Sequence, residues 1–550
     1  METLQANELL TGLLLVLVSL LLIKQLRLAS SKRRSSSEPS LPCPRGFPVI
    51  GNLHQLGALP HNSLAELATR LGAPMMLLRL GSVPTLVVST ADALRAAFQP
   101  NDRAMSGRPA TYAATRLSYG LQDIVFSHPE GAFWRAARRA SLSELLGAPR
   151  VRSFRDVREG EAAALVAAIA DASRTGSPVN LSAKVMATSN MIVRRVAFGD
   201  DGGESIDAGA VLDETQYLLG AFFVADYIPW LGWVDALRGL RRRLDRNFQE
   251  LDAFYERVID DHIKKGEVSK EKDLVDVLLR LHGDPAQGGT FSSRSQIKGI
   301  LTDMFIAGTD TAAATVEWTM TELLRHPDVL VKAQHEVRRV AAGRDMVREA
   351  DLPGLTYLKQ VIREAMRLHP PVPLLVPRET IEPCTVYGCE IPAGTRVLVN
   401  AKAIGLDPAA WGADAARFVP ERHEEIADLS DHKPWHDSFA LVPFGVGRRS
   451  CPGVHFATAV VELLLGNLLL CFDWRAPLGE VDVEEEIGLT VHRKNPLMLV
   501  AERRCLLLAN LLLCFDWRAP LGEVDVEKEI GLTVHRKNPL VLIAEQICMQ

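Results

Sequence analysis

Residues 444–453 read Phe-Gly-Val-Gly-Arg-Arg-Ser-Cys-Pro-Gly, which places one cysteine in a glycine-bent loop beside two arginines. The loop runs directly into residues 454–470, an apolar stretch that we expect to be a helix. Neighbouring cations and the start of a helix both favour the thiolate form of cysteine, and a bound metal would fix that form. We therefore expect Cys451 to be a metal ligand.

Two other interpretations of this loop exist. An isolated cysteine after a glycine turn is more often an ordinary buried residue, but here several specified positions occur together. Gly445 and Gly447 also begin the G-x-G-x-x-G pattern of a dinucleotide-binding loop. Ser450 occupies the place of the third glycine, and no strand and helix unit surrounds the pattern. We therefore discard the dinucleotide interpretation.

The five specified positions match a known signature. Phe444, Gly447, Arg449, Cys451 and Gly453 follow Phe-x-x-Gly-x-Arg-x-Cys-x-Gly without a gap, and in this the chain resembles the cytochrome P450 family. In that family a cysteine thiolate ligates haem iron and favours cleavage of the O–O bond. The resemblance covers residues 42–502 and is closest to plant microsomal enzymes of secondary metabolism. It implies haem b as the cofactor, with Cys451 as its iron ligand.

Composition restricts the possible partners and the compartment. The chain has 550 residues, of which 47% are apolar, so it can bury a large core. A net charge of −5 provides no broad basic surface, and we expect no nucleic-acid partner. Eight cysteines are scattered without a C-x-x-C pair, which indicates reduced thiols facing the cytosol.

The N-terminus has the composition of a membrane anchor. Residues 9–23 are almost wholly apolar and, with their apolar margins, can reach the roughly 20 residues of a spanning helix. Basic residues follow this segment and acidic residues precede it, which favours a cytosolic position for the rest of the chain. A cleaved signal peptide would carry its basic region first. We expect a single-pass anchor in the endoplasmic reticulum membrane, with the catalytic domain facing the cytosol.

The chain divides into four segments. Residues 1–29 are the expected membrane anchor, residues 30–51 a basic linker and proline-rich hinge, and residues 52–502 the haem-thiolate monooxygenase domain. Residues 503–550 form a tail in which positions 463–502 recur as 506–545 with four differences. Two such similar copies indicate a recent duplication or an error of gene prediction, not a solenoid. We expect the second copy to lie loosely on the surface or to compete for the site of the first.

The pattern of residues 53–502 is mostly helical. Apolar residues recur with helical spacing over 156–172, 237–265, 294–326 and 329–342. Short strand-like pieces occur at 76–80, 85–89, 396–400 and 496–501. We expect a mainly α chain with small β sheets, the cytochrome P450 fold, preceded by an N-terminal transmembrane helix.

The middle of the 294–326 helix carries Ala-Gly-Thr-Asp-Thr at residues 307–311. Small residues let a helix approach a flat cofactor, and a hydroxyl that bonds back to the helix loosens its ladder. The segment resembles the oxygen-activating helix of the family, except that Ala312 replaces a hydroxyl residue. The resemblance implies Gly308 beside the haem and Thr311 and Asp310 as catalytic residues that deliver protons. For Thr311 alone, a bond to a helix carbonyl would be the commoner role.

Two further groups of residues match family motifs. Glu364 and Arg367 share one helix face, and with Arg422 they resemble the buried structural triad that holds the cysteine loop. His423 replaces the phenylalanine that is usual after this arginine. Haem propionates need cations or donors, and the resemblance assigns cofactor binding to four residues in addition to Phe444 and Gly308: Trp134, Arg138, Arg378 and Arg449.

The resemblance implies a monooxygenase that uses O₂ and takes electrons from an NADPH-cytochrome reductase. We expect a small hydrophobic or aromatic substrate, such as an aldoxime, held by residues 106–125, 222–233, 305–311 and 372–376. The aromatic residues expected in that lining are Tyr119, Phe222, Phe223 and Trp230. The alternatives are a haem-thiolate isomerase or dehydratase that needs no O₂, and a non-catalytic haem-binding membrane scaffold. Thr311 and the standard spacing before Cys451 favour the monooxygenase.

Overall fold

The structure of the chain is a computed structural model. It describes residues 40–199, 208–265, 273–283, 291–424, 439–477 and 479–503, together with four short strands between 515 and 546. The membrane helix expected over residues 9–23 lies outside the described residues.

The described part of the chain is mainly helical, as expected. In chain order, helices α1 to α17 are Pro60–Leu71, Ala91–Asn101, Tyr112–Leu117, Ala132–Ala140, Ala148–Ser153, Arg155–Ser173, Leu181–Phe198, Ala208–Gly220, Trp233–Leu237, Leu240–Lys265, Leu274–Gly283, Arg294–Arg325, Pro327–Ala341, Thr356–Leu368, Ala401–Gly405, Pro408–Trp411 and Val454–Cys471. Short 3₁₀ turns lie at Leu53–Gln55, Ala104–Ser106, Val224–Asp226, Pro229–Leu231, Glu349–Gly354, Pro420–His423 and Gly447–Arg449.

The strands form small sheets. In chain order, β1 to β15 are Met75–Leu80, Val83–Val88, Val179–Asn180, Arg378–Glu379, Cys384–Val386, Cys389–Ile391, Arg396–Val399, Phe472–Arg475, Glu485–Ile487, Val491–Arg493, Met498–Arg503, Phe515–Arg518, Lys528–Ile530, Val534–Arg536 and Ile543–Gln546. The largest sheet has the order β1-β2-β7-β4, in which β2 and β7 run parallel and the other pairs run antiparallel.

Two long helices form the centre of the core. Helix α12 begins with a capping box in which Ser293 and Gln296 satisfy each other's backbone amides, and most of its side chains are buried. Helix α17 is apolar around most of its surface, and most of its side chains are buried, which is typical of a helix inside a large core. It begins at Val454, so the loop that carries Cys451 leads directly into the core.

Helix α17 is also long and apolar enough to cross a membrane, but 83% of it is buried inside the described structure. A bent pair of segments, Gly209–Asp226 and Pro229–Leu237, passes the same composition test at an angle of 108°. Burial inside the core identifies α17 as a core helix.

One helix boundary differs from the expectation. The 237–265 pattern predicted a single helix, but α9 ends at Leu237 and α10 begins at Leu240. Gly239 lies between them with φ of +74°, a conformation that residues with a side chain rarely adopt. The apolar spacing continues across this break, which is why the pattern did not reveal it.

The first C-terminal copy completes the sheets of the domain. Strand β11 pairs with both β8 and β3, and β9 forms a hairpin with β10. The second copy repeats these hairpins in the same register, since β12 pairs with β15 and β13 with β14. Within the described residues these four strands pair only with one another, and β3 is paired with the first copy.

Candidate functional site

The loop before α17 has a backbone that only its glycines permit. Gly445 and Gly447 have φ of +73° and +64°. A side chain on Gly447 would overlap the Asp102 carboxylate, which accepts hydrogen bonds from the backbone amide of Arg448. The backbone amide of Cys451 donates a hydrogen bond to the Phe444 carbonyl at 2.8 Å. This bond closes the loop and places Cys451 just before the first residue of α17.

The cations that act on Cys451 are not its immediate neighbours. Arg448 pairs with Asp102 at 2.9 Å, and Arg449 donates to the carbonyls of Ser106, Ile124 and Ser127. The expectation that these two arginines stabilise a thiolate is therefore wrong, because loop carbonyls and a carboxylate already bind them. The positive charge that stabilises the Cys451 thiolate comes instead from Arg138, which acts to lower the pKa of the thiol.

The surroundings of the Cys451 sulfur stabilise its thiolate form only in part. Burial raises the pKa of the Cys451 thiol, opposed by the Gly453 amide, which donates to Sγ at 3.3 Å, and by the charge of Arg138. These two favourable interactions do not outweigh burial. A bound metal cation would supply the remaining stabilisation of the thiolate.

A cavity of about 340 Å³ lies between the Cys451 loop and the middle of α12. Its walls are mostly apolar, and they come from distant parts of the chain: Leu117, Val125, Val193, Leu219, Met304, Val372, Leu375, Phe456 and Leu489. Cys451 lines this cavity together with Ala307, Gly308 and Thr311 of α12. A concave, mostly apolar cavity with few polar groups is the usual form of a small-molecule site.

Four guanidinium groups lie together at one end of this cavity: Arg108, Arg138, Arg378 and Arg449. Burial and the nearby charge of Arg138 lower the pKa of Arg378 to about 10. Burial and the charges of Arg378 and Arg138 lower the pKa of Arg449 to about 9. Nη1 of Arg378 has no hydrogen-bond partner among the described residues and faces the Asp102 carboxylate at 3.8 Å. These four cationic side chains could bind a group that carries two negative charges, such as the two propionates of a haem.

The structure brings together the residues to which the sequence assigned the cofactor. Trp134, Arg138, Arg378, Arg449, Phe444 and Gly308 all line the cavity with Cys451. The indole of Trp134 donates to the Ile124 carbonyl at 3.1 Å, and the Arg449 guanidinium stacks 4.4 Å from its ring. Arg138 donates to the Ser450 carbonyl at 2.6 Å. A flat tetrapyrrole with one axial thiolate and one anionic edge fits these residues.

Sequence reasoning missed Arg108 as a member of the cationic group. It is partly buried, donates to the carbonyl of Pro377 at 2.9 Å, and has a pKa lowered well below its usual range by burial and by Arg378. It belongs to no motif, and only its position inside the expected 106–125 lining segment could have indicated it.

Thr311 lies on the cavity wall and also bonds back to its own helix. Its Oγ1 donates to the Ala307 carbonyl at 2.6 Å, four residues earlier. Gly308 faces α7, where an added Cβ would approach the Val193 side chain to 3.1 Å. The small residues of α12 therefore allow close packing against α7 as well as access to the cavity.

Asp310 turns away from Thr311 and towards the β9–β10 hairpin. The Thr490 hydroxyl donates to Asp310 Oδ2, and Nε2 of His492 lies 2.8 Å from Oδ1. Thr490 itself lines the cavity. Sequence reasoning missed both partners, since they lie 180 and 182 positions along the chain and no motif connects them to α12.

The Glu364 carboxylate is the centre of a buried network. Arg367 donates to both of its oxygens at 2.7 Å, and both side chains are 0% exposed. Arg422 lies 3.4 Å away, while His423 makes a shorter contact of 2.9 Å. Arg367 also donates to the Ala415 carbonyl at 2.6 Å. His423, which replaces the usual phenylalanine, therefore joins the network as a fourth polar member.

We expect Glu364→Gln to lower the free energy of unfolding by about 3–5 kcal/mol, because it leaves the buried Arg367 charge uncompensated. Burial alone would raise the Glu364 pKa, but Arg367 and His423 outweigh it and hold the pKa at about 2. The ionised carboxylate therefore stabilises the fold above its ordinary pKa of 4.5. That stabilisation is lost as the pH falls towards 2.

Urea unfolding at several pH values measures this effect. The matched control is Glu130→Gln, since Glu130 forms an exposed ion pair with Arg103 and such pairs contribute about 0–1 kcal/mol. The two variants should differ strongly at pH 7 and converge between pH 4.5 and 2. Equal free energies of unfolding at pH 7 would contradict the structural role of the network.

The aromatic lining expected for the substrate is not found. Phe222 and Trp230 are 47% and 50% exposed, and neither lines the cavity, nor does Phe223. Tyr119 packs on Phe248 with ring centroids 5.1 Å apart, and burial raises its pKa. The helix before these residues contributes Leu219 instead. Apolar composition did not distinguish an outward-facing loop from a cavity wall.

Comparison with known proteins agrees with this geometry. The family model described as Cytochrome P450 matches residues 41–500. Cytochrome P450 71A9 from Glycine max is 47% identical over 90% of this chain and 98% of its own length. Strychnine-11-hydroxylase from Strychnos nux-vomica is 46% identical over 84% and 92%, and tryptamine 5-hydroxylase from Oryza sativa subsp. japonica is 40% identical over 92% and 97%.

A solved structure shares the fold. A zebra fish cytochrome P450, determined with abiraterone, superposes with a TM-score of 0.67 at 23% identity, over 82% of this chain and 100% of that one. The family match spans more than half of the chain, and the relatives match over nearly their full lengths. The chain therefore belongs to the cytochrome P450 family, as a plant cytochrome P450 that is a monooxygenase with a haem iron cofactor.

Proposed function

We propose that the protein is a membrane-anchored monooxygenase that inserts one oxygen atom from O₂ into a small hydrophobic or aromatic plant metabolite. Electrons would come from an NADPH-cytochrome reductase. The observation that carries the proposal is the cavity, since one apolar space joins the Cys451 sulfur to the Thr311 face of α12. A substrate in that space would lie between the metal ligand and the helix that we assign to proton delivery.

When bound, the haem iron supplies the activation of O₂ and the transfer of one oxygen atom. Cys451 would hold the iron as a thiolate, and Arg108, Arg138, Arg378 and Arg449 would hold the propionate edge. The apolar walls would orient the substrate by shape. Asp310 and Thr311 would move protons inward, with the Thr311 hydroxyl as the last donor at the cavity wall.

Two relatives support the substrate class. One is named for hydroxylation of strychnine and another for hydroxylation of tryptamine. The cavity walls here are aliphatic and aromatic, with few polar groups, which suits a compact apolar or aromatic ring system. An aromatic plant metabolite is therefore the class that we propose.

We propose the domain boundaries given by the sequence, with residues 1–29 as anchor, 30–51 as linker and hinge, 52–502 as the catalytic domain and 503–550 as a duplicated tail. Strand β11, which pairs with β3 and β8, supports an end of the catalytic domain near residue 502. Trp230, Trp233 and Leu237 are 50%, 56% and 77% exposed, and such an apolar surface supports a position at the endoplasmic reticulum membrane.

Reconstitution with an NADPH-cytochrome reductase tests the proposed reaction. A plant extract is first screened for compounds that change the haem spectrum, and each binder is then incubated with NADPH under ¹⁸O₂. We expect products that carry one ¹⁸O atom and form only with both reductase and NADPH. Conversion without O₂ or reductase would instead identify an isomerase or dehydratase, and binding without any conversion would identify a scaffold.

We expect Thr311→Ala to leave the haem spectrum unchanged and to lower product formation by up to about 10²-fold, the scale of general acid and base catalysis. NADPH consumption should continue and its electrons should appear as peroxide. The matched control is Thr319→Ala, because Thr319 bonds back to the Thr315 carbonyl at 2.6 Å but does not line the cavity. Equal ratios of product to NADPH in both variants would count against the role of Thr311.

A further inference from the structure

The β9–β10 hairpin places two polar side chains against Asp310 of α12. Thr490 donates to Asp310 Oδ2, His492 Nε2 lies 2.8 Å from Oδ1, and the Thr490 hydroxyl lies 2.8 Å from the same histidine nitrogen. On its other side, Nδ1 of His492 faces Glu317 at 3.4 Å. Asp310 and Glu317 lie seven residues apart on α12, so the imidazole rests along one face of that helix.

These contacts connect the cavity with the surface. Thr490 lines the cavity and is 1% exposed. The Asp310 side chain is 10% exposed, and that of His492 is 27% exposed. A series of hydrogen-bonded groups therefore runs from the solvent, through His492 and Asp310, to a hydroxyl at the cavity wall.

The charges around His492 favour its protonated form. Burial opposes the cation, but Asp310 and Glu317 outweigh it and raise the His492 pKa to about 10. Glu486 is its cross-strand partner on β9, and the neighbouring Arg493 side chain is bound to Asp482 at 2.9 Å. Glu317 also accepts from Ser182 and from the Arg493 amide. Both ring nitrogens of His492 consequently donate to carboxylates at neutral pH.

We propose that His492 and Thr490 are positioning residues of the proton route. His492 holds Asp310 in place and supplies it with protons, and Thr490 connects Asp310 to the cavity by a hydrogen bond. This inference rests on the proposed role of Asp310. The N–H bond at Nε2 breaks as an O–H bond forms at Asp310 Oδ1. Rotation of the carboxyl group brings this O–H bond to Thr490. The Asp310 O–H bond breaks as the Thr490 hydroxyl takes the proton, and Thr490 releases its own proton to an acceptor in the cavity. Solvent returns a proton to His492, so each proton delivered is replaced and nothing is oxidised.

Two variants test the inference in the full chain with haem. His492→Gln keeps a hydrogen-bonding group but removes the charge, and Thr490→Val removes the hydroxyl at nearly constant volume. We expect unchanged substrate-induced spectra, a larger solvent deuterium isotope effect, and about a tenfold fall in product per NADPH. This is below the roughly 10²-fold fall expected for Thr311, which we assign as the last donor at the cavity wall. Thr490→Ser should restore most of the loss, and His335→Gln, on the exposed face of α13, should have no effect.

A measurement independent of turnover is the pH dependence of stability. The His492 pKa is raised from 6.5, so its contribution is complete below about pH 6.5 and is lost as the pH rises through about 10. The difference in free energy of unfolding between the parent chain and His492→Gln should therefore disappear over that window. A constant difference would show that His492 is not ionised against Asp310, and would overturn the inference.

Asp310→Asn separates the two proposals. If Asp310→Asn changes the isotope effect and the coupling while His492→Gln and Thr490→Val do not, Asp310 delivers protons by another route and the present inference fails. If Asp310→Asn changes neither quantity, the proposed role of Asp310 itself fails.

Discussion

Cys451→Ser is expected to abolish the long-wavelength Soret band of the reduced carbonyl complex, together with all NADPH-dependent turnover. That band requires a soft, electron-rich thiolate on the iron, and a serine hydroxyl is a hard and weakly donating ligand. The surrounding loop should be little changed, because its backbone is held by Gly445, Gly447 and the bond from the Cys451 amide to Phe444. The measurement is an absorbance spectrum of the reduced protein under carbon monoxide.

Cys471→Ser is the matched control, since Cys471 ends the same helix, α17, that begins just after Cys451. Burial raises the pKa of Cys471 to about 11, and its Sγ contacts the Asp345 carbonyl at 3.4 Å, a contact that serine can keep. This variant should retain the band in full. An intact band in Cys451→Ser, or its loss in Cys471→Ser alone, would show that another residue ligates the iron.

The sequence predicted the helical class and the glycine-bent cysteine loop from local rules: helical spacing of apolar residues, and glycines where the backbone has positive φ. That the cysteine loop and the middle of α12 serve one site was implied only by the family resemblance, and both line the same cavity. Gly447 is an example, since its place in the motif is required both by φ and by the nearness of Asp102. The solved structure and the family match confirm the fold that the resemblance implied.

The electrostatic partners could not be predicted in the same way. Arg448 and Arg449 are adjacent to Cys451 in sequence, yet they bind Asp102 and three loop carbonyls, because the folded loop around residues 102–127 supplies acceptors first. Asp310 finds His492 on a distant strand. Composition likewise shows how many apolar side chains a segment has, but not which of them face the cavity. Phe222 and Trp230 were therefore assigned to the cavity wall, although both are exposed at the surface.

The C-terminal duplication allows a second test with a large effect. The copies differ at only four positions, and one of them, Glu485 against Lys528, reverses a charge. In the first copy Glu485 contacts His61 at 2.8 Å and Lys402, and its side chain is 7% exposed. Burial would raise its pKa, but these two partners hold it at about 2. Lys528 in that place would put one cation against another beside a buried histidine.

We expect a chain that stops after Arg504 to fold, bind haem and turn over at least as well as the full chain, because β8 to β11 already complete the sheets. In that shortened chain, Glu485→Lys should lower the free energy of unfolding by about 3–5 kcal/mol, the cost of an uncompensated buried charge. Glu484→Lys is the control, since Glu484 forms an exposed pair with Lys494, and exposed pairs contribute little to stability. Urea unfolding and haem content measure both effects.

The same variants in the full chain test whether the second C-terminal copy can take the place of the first in the fold. In Glu485→Lys both copies carry lysine, so a second copy that can enter the site offers no electrostatic advantage. Adding Lys528→Glu gives the second copy the carboxylate that His61 and Lys402 require. If the copies exchange, the double variant should recover most of the lost stability, whereas a second copy that stays outside the fold should leave it unchanged. Loss of haem in the shortened chain, with expression unchanged, would instead show that the domain needs the second copy.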